Sequence, residues 1–476
     1  MRTPVLRSKA WMDRLASPRA AEPPLRAELF SGEQLQRHAA ALAGGHHLDP
    51  HRGPNRLLLR LADNEEVLTQ AYDLVASADA EGRRVAPAGE WLLDNFYLIE
   101  QQIRLTRLHL PRTYSRELPR LLSGSAGGFP RVYDIALELI SHVDGRVDAE
   151  NVNHFVRAYQ SVTPLTLGEL WAVPIMLRLG LIENLRRVAA HIAQRRRDRN
   201  LATAWAGRLL TAAEEDPATV LSLLDELARS DPPMSNQFVE EFCGRLHGQS
   251  PQLATVQSWV QHHLSDQGLT RDQLQRSDNQ IKASDQVSIG NSISSLRFLS
   301  AMDWRKFVES KSIVEQTLRS DPAGVYTGMD FVTRDRYRQC VEGLSRQVGL
   351  VEEAVARAAI GLATESAARD GPAGRAAHVG FYLIDKGRKQ LERVVRVRWS
   401  LRRNLTRTLL RFPIVSYLGS LVVFTAAGAW FGLEPVFPAG WGDWRFWLLL
   451  ILGSTVASQM AVTLVNLLTS ILLGPR

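Results

Sequence analysis

Four places in the sequence set a carboxylate beside an aromatic residue: Glu90-Trp91, Asp94-Asn95-Phe96, Glu169-Leu170-Trp171 and Asp303-Trp304. Sugar sites also use this combination, and glycoside hydrolysis needs two such acids on opposite sides of the sugar, roughly 5 to 10 Å apart. Sequence spacing does not establish that distance, and acids of this kind more often cap helices or pair with arginine, which is abundant here. The stretch GGHHLDPHRGP offers His46, His47 and His51 as imidazole donors, but its Gly/Pro setting and lack of companion cysteines favour a mobile loop, so no metal is assigned. In QVSIGNSISSLRFLSAMDWRKFVE the hydroxyls of Ser288, Ser292, Ser294 and Ser295 precede Asp303 and Trp304, and side chains this small normally allow close helix packing. The sequence has no GxxxxGKS/T, no GxGxxG behind a strand, no GxSxG and no HExxH, so the common phosphate, nucleophile and zinc signatures are absent. No catalytic residue and no cofactor is expected.

The elements that must hold these residues read as helices. From residue 55 onward there is no clear period-two alternation, while apolar residues recur at i, i+3, i+4 and i+7. The expected class is all-α. EWLLDNFYLIEQQIRLTRLHL places Trp91, Tyr97 or Leu98, Ile103 or Gln102, and Leu105 on one overlapping stripe, and Pro111 stops it. LTLGELWAVPIMLRLGLIENLRRVAAHIAQRRR carries Leu170, Pro174, Leu177, Leu181, Leu185 and Ile192 along one side. Pro174 lacks an amide donor and is expected to kink that helix. Further amphipathic helices are expected over 131–144, 150–161, 216–229, 234–247, 251–264, 281–299, 303–318, 331–346 and 349–365, without a repeat of fixed length.

With 476 residues, 45% of them hydrophobic and 22% charged, the chain can bury an ample core, which excludes a small stapled scaffold and wholesale disorder. A net charge of +7 is modest at this length and implies no nucleic-acid partner. Cys243 and Cys340 are far apart and in no CxxC spacing, so they read as two reduced thiols.

The hydropathy changes near the C-terminus. IVSYLGSLVVFTAAGAWFGL (414–433) and FWLLLILGSTVASQMAVTLVNLLTSILL (446–473) carry no charge and are long enough to cross a hydrocarbon core, which predicts a two-helix transmembrane hairpin. Trp430, Trp441, Trp444 and Trp447 fall near one interface, as an aromatic belt does. Arg393, Arg396, Arg398, Arg402, Arg403, Arg407 and Arg411 precede the first span and form a basic collar on a helix expected to rest on anionic headgroups. Positive charge stays inside, so both termini are placed in the cytoplasm and the turn in the periplasm of a bacterial inner membrane. Within the spans, Gln459 and Asn466 are one heptad apart with Ser454 and Ser458 close to their face, a pattern read as helix packing. The expected organisation is a flexible N-terminal segment over 1–50, a cytoplasmic α-helical domain over 51–375, an Arg-rich juxtamembrane helix over 376–412 and the hairpin over 413–473.

Eight strings carry a resemblance, in order: NRLLLR (55–60), EWLLDNFYLIEQQIR (90–104), LPRTYSRELPRLL (110–122), FPRVYDIALELISHVDGRVD (129–148), HFVRAYQSVTPLTLGELWAVPIMLRLGLIENLRR (154–187), DQVSIGNSISSLRFLSAMDWRKFVE (285–309), LRSDPAGVYTGMDFVTRDRYR (318–338) and HVGFYLIDKGR (378–388). Together they resemble the N-terminal region of bacterial cyclic β-1,2-glucan synthases. That resemblance implies a cytoplasmic helical region ahead of two membrane spans, serving a UDP-glucose-dependent glycosyltransferase domain and a phosphorylase-like domain of the same system as partners. The family's nucleotide-sugar and acid/base residues have no counterparts in this chain, so the implied role is membrane anchoring and accessory. The alternative is a freestanding helical binding or scaffold protein at the inner membrane.

Overall fold

A computed structural model describes residues 22–49, 56–83, 85–397, 413–433 and 444–473. It is 77% helical with almost no sheet, as the 3.6-residue periodicity demands. The chain falls into two compact units, one within 1–343 and 351–388, the other within 344–350 and 389–476.

The first unit is built on one long helix. In order it contains α1 (Gly32–Gly45), α2 (Leu57–Ala80), α3 (Pro87–His109), α4 (Arg112–Glu117), α5 (Arg131–His142), α6 (Ala149–Gln160), α7 (Leu167–Glu215), α8 (Thr219–Arg229), α9 (Asn236–Leu246), α10 (Ala254–Asp266), α11 (Arg271–Ala301), α12 (Trp304–Lys311) and α13 (Ile313–Leu318). Then come α14 (Phe331–Val348), which runs past residue 343, α15 (Glu352–Asp370) and the single turn α16 (Gly380–Leu383). Two short strands, Leu48–Asp49 and Arg120–Leu121, pair antiparallel with Leu48 opposite Leu121.

Helix α7 has 49 residues, about 74 Å at 1.5 Å per residue. A reciprocal capping box starts it, with the Thr166 hydroxyl and the Glu169 carboxylate each bonding the other's backbone amide. Its first half is buried on nearly every side, including the predicted Leu170, Pro174, Leu177, Leu181, Leu185 and Ile192, and Pro174 sits inside the helix without ending it. That half is the axis of a core shared with α1, α2, α3, α5, α6 and α11. Its second half leaves that core, and Ala202, Trp205, Ala206 and Leu209 anchor a second cluster with Phe238, Phe242, Val256 and Val260.

Three details differ from the sequence pattern. Within the N-terminal fifty residues, expected to be flexible, α1 is a helix with its own capping box at Ser31 and Gln34, and Leu35, Ala39 and Ala43 are buried in the main core. Its i, i+4, i+8 stripe is two-thirds alanine, too weak a hydrophobic signal to stand out. On α3 the buried stripe is Leu92, Asn95, Leu98, Ile99, Gln102 and Ile103, whereas Trp91 and Tyr97 are exposed. The 303–318 helix is split at Ser312, whose hydroxyl caps α13 by accepting from Glu315 N–H.

The second unit contains α17 (Arg388–Val394) from Lys389 onward, α18 (Pro413–Leu433) and α19 (Trp444–Leu473). The continuous helix expected over 376–412 is interrupted in its described part. At Gly387 a Cβ would stand 2.5 Å from the Phe381 ring, so only glycine allows that approach. Arg396 then takes a left-handed φ of 55°, with Val397 N–H donating to Glu392 O at 2.9 Å and Arg396 N–H to Arg393 O at 3.1 Å. Those two bonds are the paired closure that terminates a helix.

Candidate functional site

In the first unit, α2, α5 and α7 frame a polar cavity of about 790 Å³. Its wall includes Arg56, Arg60, Asp63, Tyr133, Asp134 and Arg187. Glu183, Arg186 and Arg187 share one face of α7 at i, i+3 and i+4. Arg60 Nε donates to Glu183 Oε2 at 2.8 Å, Arg186 Nη2 to Glu183 Oε1 at 2.9 Å, and Arg187 Nε to the same oxygen at 2.9 Å. Glu22 closes the cluster at 2.7 Å from Arg60 and 2.6 Å from Arg186. Burial alone would raise the Glu183 carboxyl, but the Arg60 hydrogen bond and the charges of Arg186, Arg60 and Arg187 hold it at about 2. Burial pushes the Tyr133 hydroxyl well above the ordinary phenol range. This wall of guanidinium groups, carboxylates and a neutral phenol can hydrogen-bond a polyhydroxylated or anionic ligand.

The acids beside aromatics are dispersed, and two of the four serve structure. Glu169 is fully buried in the α7 capping box and takes a two-pronged ion pair from Arg131 at 2.5 and 2.7 Å. Asp303 caps α12 by accepting from Lys306 N–H, and Trp304 Nε1 donates to Leu299 O at 2.9 Å. Glu90 and Asp94 are exposed on α3. Trp171 packs against the main core and meets Phe331 edge-on.

The serine-rich face of α11 is a packing surface. Asn184 Nδ2 donates to Ser288 and Ser292 Oγ, both at 3.0 Å, and Ser295 Oγ donates to Gly145 O at 2.7 Å. Gly145 sits at φ +74°, where a Cβ would stand 2.7 Å from Ser292 Oγ, so both its conformation and its space require glycine.

Of the three clustered histidines, His46 is held by Tyr159 OH at 2.8 Å and Asp134 Oδ2 at 3.0 Å, with its side chain 7% exposed. That environment makes it a satisfied core histidine. His47 is exposed and belongs to no group of three metal-ligand residues among the described residues, and His51 lies outside them.

Two constellations carried no local signal. Arg338, fully buried, donates to Glu315 Oε2 at 2.6 Å, and Tyr326 OH donates to the same oxygen at 2.7 Å. Asp321 accepts from Val379 N–H at 2.8 Å and from His378 Nδ1 at 2.7 Å, while Tyr337 OH stands 3.2 Å from His378 Nε2. Burial raises the Tyr337 hydroxyl instead of activating it, so this Asp–His–Tyr chain ties the 378–380 segment down. It joins residues more than fifty positions apart, which no sequence window displays.

In the second unit, Tyr417 OH lies 3.2 Å from Asn466 Oδ1, and a Cβ on Gly428 would stand 3.0 Å from Ala457 Cβ. Pairing 417 with 466 and 428 with 457 makes α18 and α19 antiparallel. Trp430, Trp444 and Trp447 therefore fall toward the same end of the pair, next to the 434–443 connection, and all three are exposed. Trp441 lies outside the described residues, as do Arg398, Arg402, Arg403, Arg407 and Arg411; Arg393 and Arg396 are exposed. One described helix, Trp447–Leu467, is long and apolar enough to cross a membrane, and the apolar run of α18, Ser416–Phe431, is shorter.

No family model matches the chain. It is 29% identical over 455 residues, 95% of its length, to the cyclic β-(1,2)-glucan synthase NdvB of Rhizobium meliloti strain 1021. The chain spans 16% of that protein's length, so it matches a part of it, and the resemblance carried by the eight strings stands.

Proposed function

We propose that the chain is the membrane-anchoring, accessory part of a cyclic β-1,2-glucan-synthesising system. The observation that carries this reading is the match along 95% of the chain to a small share of a cyclic glucan synthase. What supports it further is a large helical unit followed by the apolar helices α18 and α19, which would serve such a system as platform and anchor. In this reading α18 and α19 form a two-span hairpin of the bacterial inner membrane, with Trp430, Trp441, Trp444 and Trp447 at the periplasmic interface. Arg393, Arg396, Arg398, Arg402, Arg403, Arg407 and Arg411 rest on anionic lipid on the cytoplasmic side, and both termini are cytoplasmic. The partners are the glycosyltransferase and phosphorylase activities of the same system, with UDP-glucose as the sugar donor. In this reading catalysis is theirs, and Glu169, Glu183, Asp303 and Glu315 of this chain serve caps and ion pairs.

Deleting the coding region for residues 413–473 in the host tests the reading. Loss of cyclic glucan, restored by the intact chain, supports it. Unchanged glucan output together with the failure of another envelope function would sink it and favour the freestanding scaffold.

A further inference from the structure

Glu138 and His142 stand four residues apart on α5 and share a face, and His38 reaches the same point from α1. His38 Nε2 lies 2.9 Å and His142 Nε2 3.5 Å from Glu138 Oε2, and the three donor atoms all lie within 4.8 Å of one another. His142 Nδ1 is 2.7 Å from the carbonyl oxygen of Glu28. A carbonyl only accepts, so the proton is on Nδ1 and Nε2 is turned toward the carboxylate. This is the outer hydrogen bond that orients metal-bound histidines. Phe30 stacks on the His142 ring at 3.9 Å and Phe155 lies 6.4 Å from His38, which gives the cluster an apolar wall. The polar cavity extends to Glu138 and provides an entry path.

We infer that His38, Glu138 and His142 form a binding site for a divalent transition-metal ion of the Zn²⁺ class, with a coordination position left for water or a ligand oxygen from the cavity. Two imidazoles and one carboxylate suit Zn²⁺ and its neighbours, whereas Mg²⁺ and Ca²⁺ take oxygen ligands. Bonds of about 2.0–2.2 Å set tetrahedral ligand atoms about 3.3 Å apart, a spacing that the 2.9 and 3.5 Å separations from Glu138 Oε2 bracket. The site clips α1 to α5 and depends on no assumption about glucan synthesis.

The test uses the full chain in detergent, stripped by a chelator and then titrated with Co²⁺ by visible absorption and with Zn²⁺ by calorimetry. One equivalent should bind, and Zn²⁺ should raise the unfolding temperature. His142→Asn and Glu138→Gln should each weaken binding at least about tenfold and abolish the thermal shift. His154→Asn, at a half-buried histidine on α6 outside the cluster, should leave both unchanged. Circular dichroism identifies a variant that fails to fold, and Glu138→Gln, which keeps the shape of the side chain, then decides. Absence of stoichiometric binding by the unaltered chain, or equal affinity in folded Glu138→Gln, overturns the site.

Discussion

Two buried carboxylates in the first unit meet opposite fates. Glu183 is surrounded by Arg60, Arg186 and Arg187 and is held near 2, below its unfolded value of 4.5. A depressed carboxyl contributes stability above its unfolded pKa and loses it as pH falls through the folded one, here between about 4.5 and 2. Glu183→Gln should therefore cost about 3–5 kcal/mol at neutral pH, because three guanidinium groups are left to share the single carboxylate of Glu22, and should flatten the acid limb of stability against pH. Asp285 on α11 is 1% exposed, and neither of its oxygens has a hydrogen-bond partner among the described residues; burial raises it from 3.8 to about 6 despite Arg195 3.8 Å away. The sign reverses: between pH 4 and 6 the folded state binds the extra proton, so stability falls as pH rises through that window. Asp285→Asn should remove that slope and stabilise the chain by up to about 3 kcal/mol above pH 6, read from urea midpoints of the detergent-solubilised protein.

At the scale of elements, α18 and α19 depend on close approach. Gly428→Ile pushes a branched side chain into Ala457 and should destabilise the helix pair by about 1–3 kcal/mol. Asn466→Leu removes the bond to Tyr417 and should cost less, about 0.6 kcal/mol, the usual value of such a bond between membrane helices. Detergent-dependent unfolding that ranked the two the other way would contradict the packing. The basic collar makes a separate prediction. With residues 413–473 removed, replacing Arg402, Arg403 and Arg407 by Gln should weaken binding to anionic vesicles by about two orders of magnitude, since each cation near such a surface is worth about 1 kcal/mol. Binding should also fade with salt, as charges beyond about 10 Å are screened at ordinary ionic strength. Equal binding to neutral vesicles would remove electrostatics from the account.

At the scale of the whole first unit, α7 passes through both hydrophobic clusters. Asn200 lies between Ala193 of the main core and Ala202 of the second cluster, and its side chain accepts from Arg83. Asn200→Pro should cost about 3 kcal/mol or more and split one calorimetric transition into two. A single unshifted transition would show that the clusters are coupled by other routes.

Helical class, most helix positions and the apolar C-terminal segments were determined by the sequence itself, because water is excluded from each helix one face at a time and a face repeats every few residues. The resemblance was legible for a related reason: eight strings in order carry information that no single helix does. Tertiary structure alone decided which arginine neutralises Glu183, that His378 belongs to Asp321, and that His38 meets Glu138 and His142 while His46 is already satisfied. Arg60 and Glu183, Asp321 and His378, and His38 and Glu138 lie about fifty to more than a hundred residues apart, and a buried charge or a metal ligand is defined by what surrounds it in space. The same cause hid α1, whose alanine stripe is a weak signal until a neighbouring helix covers it.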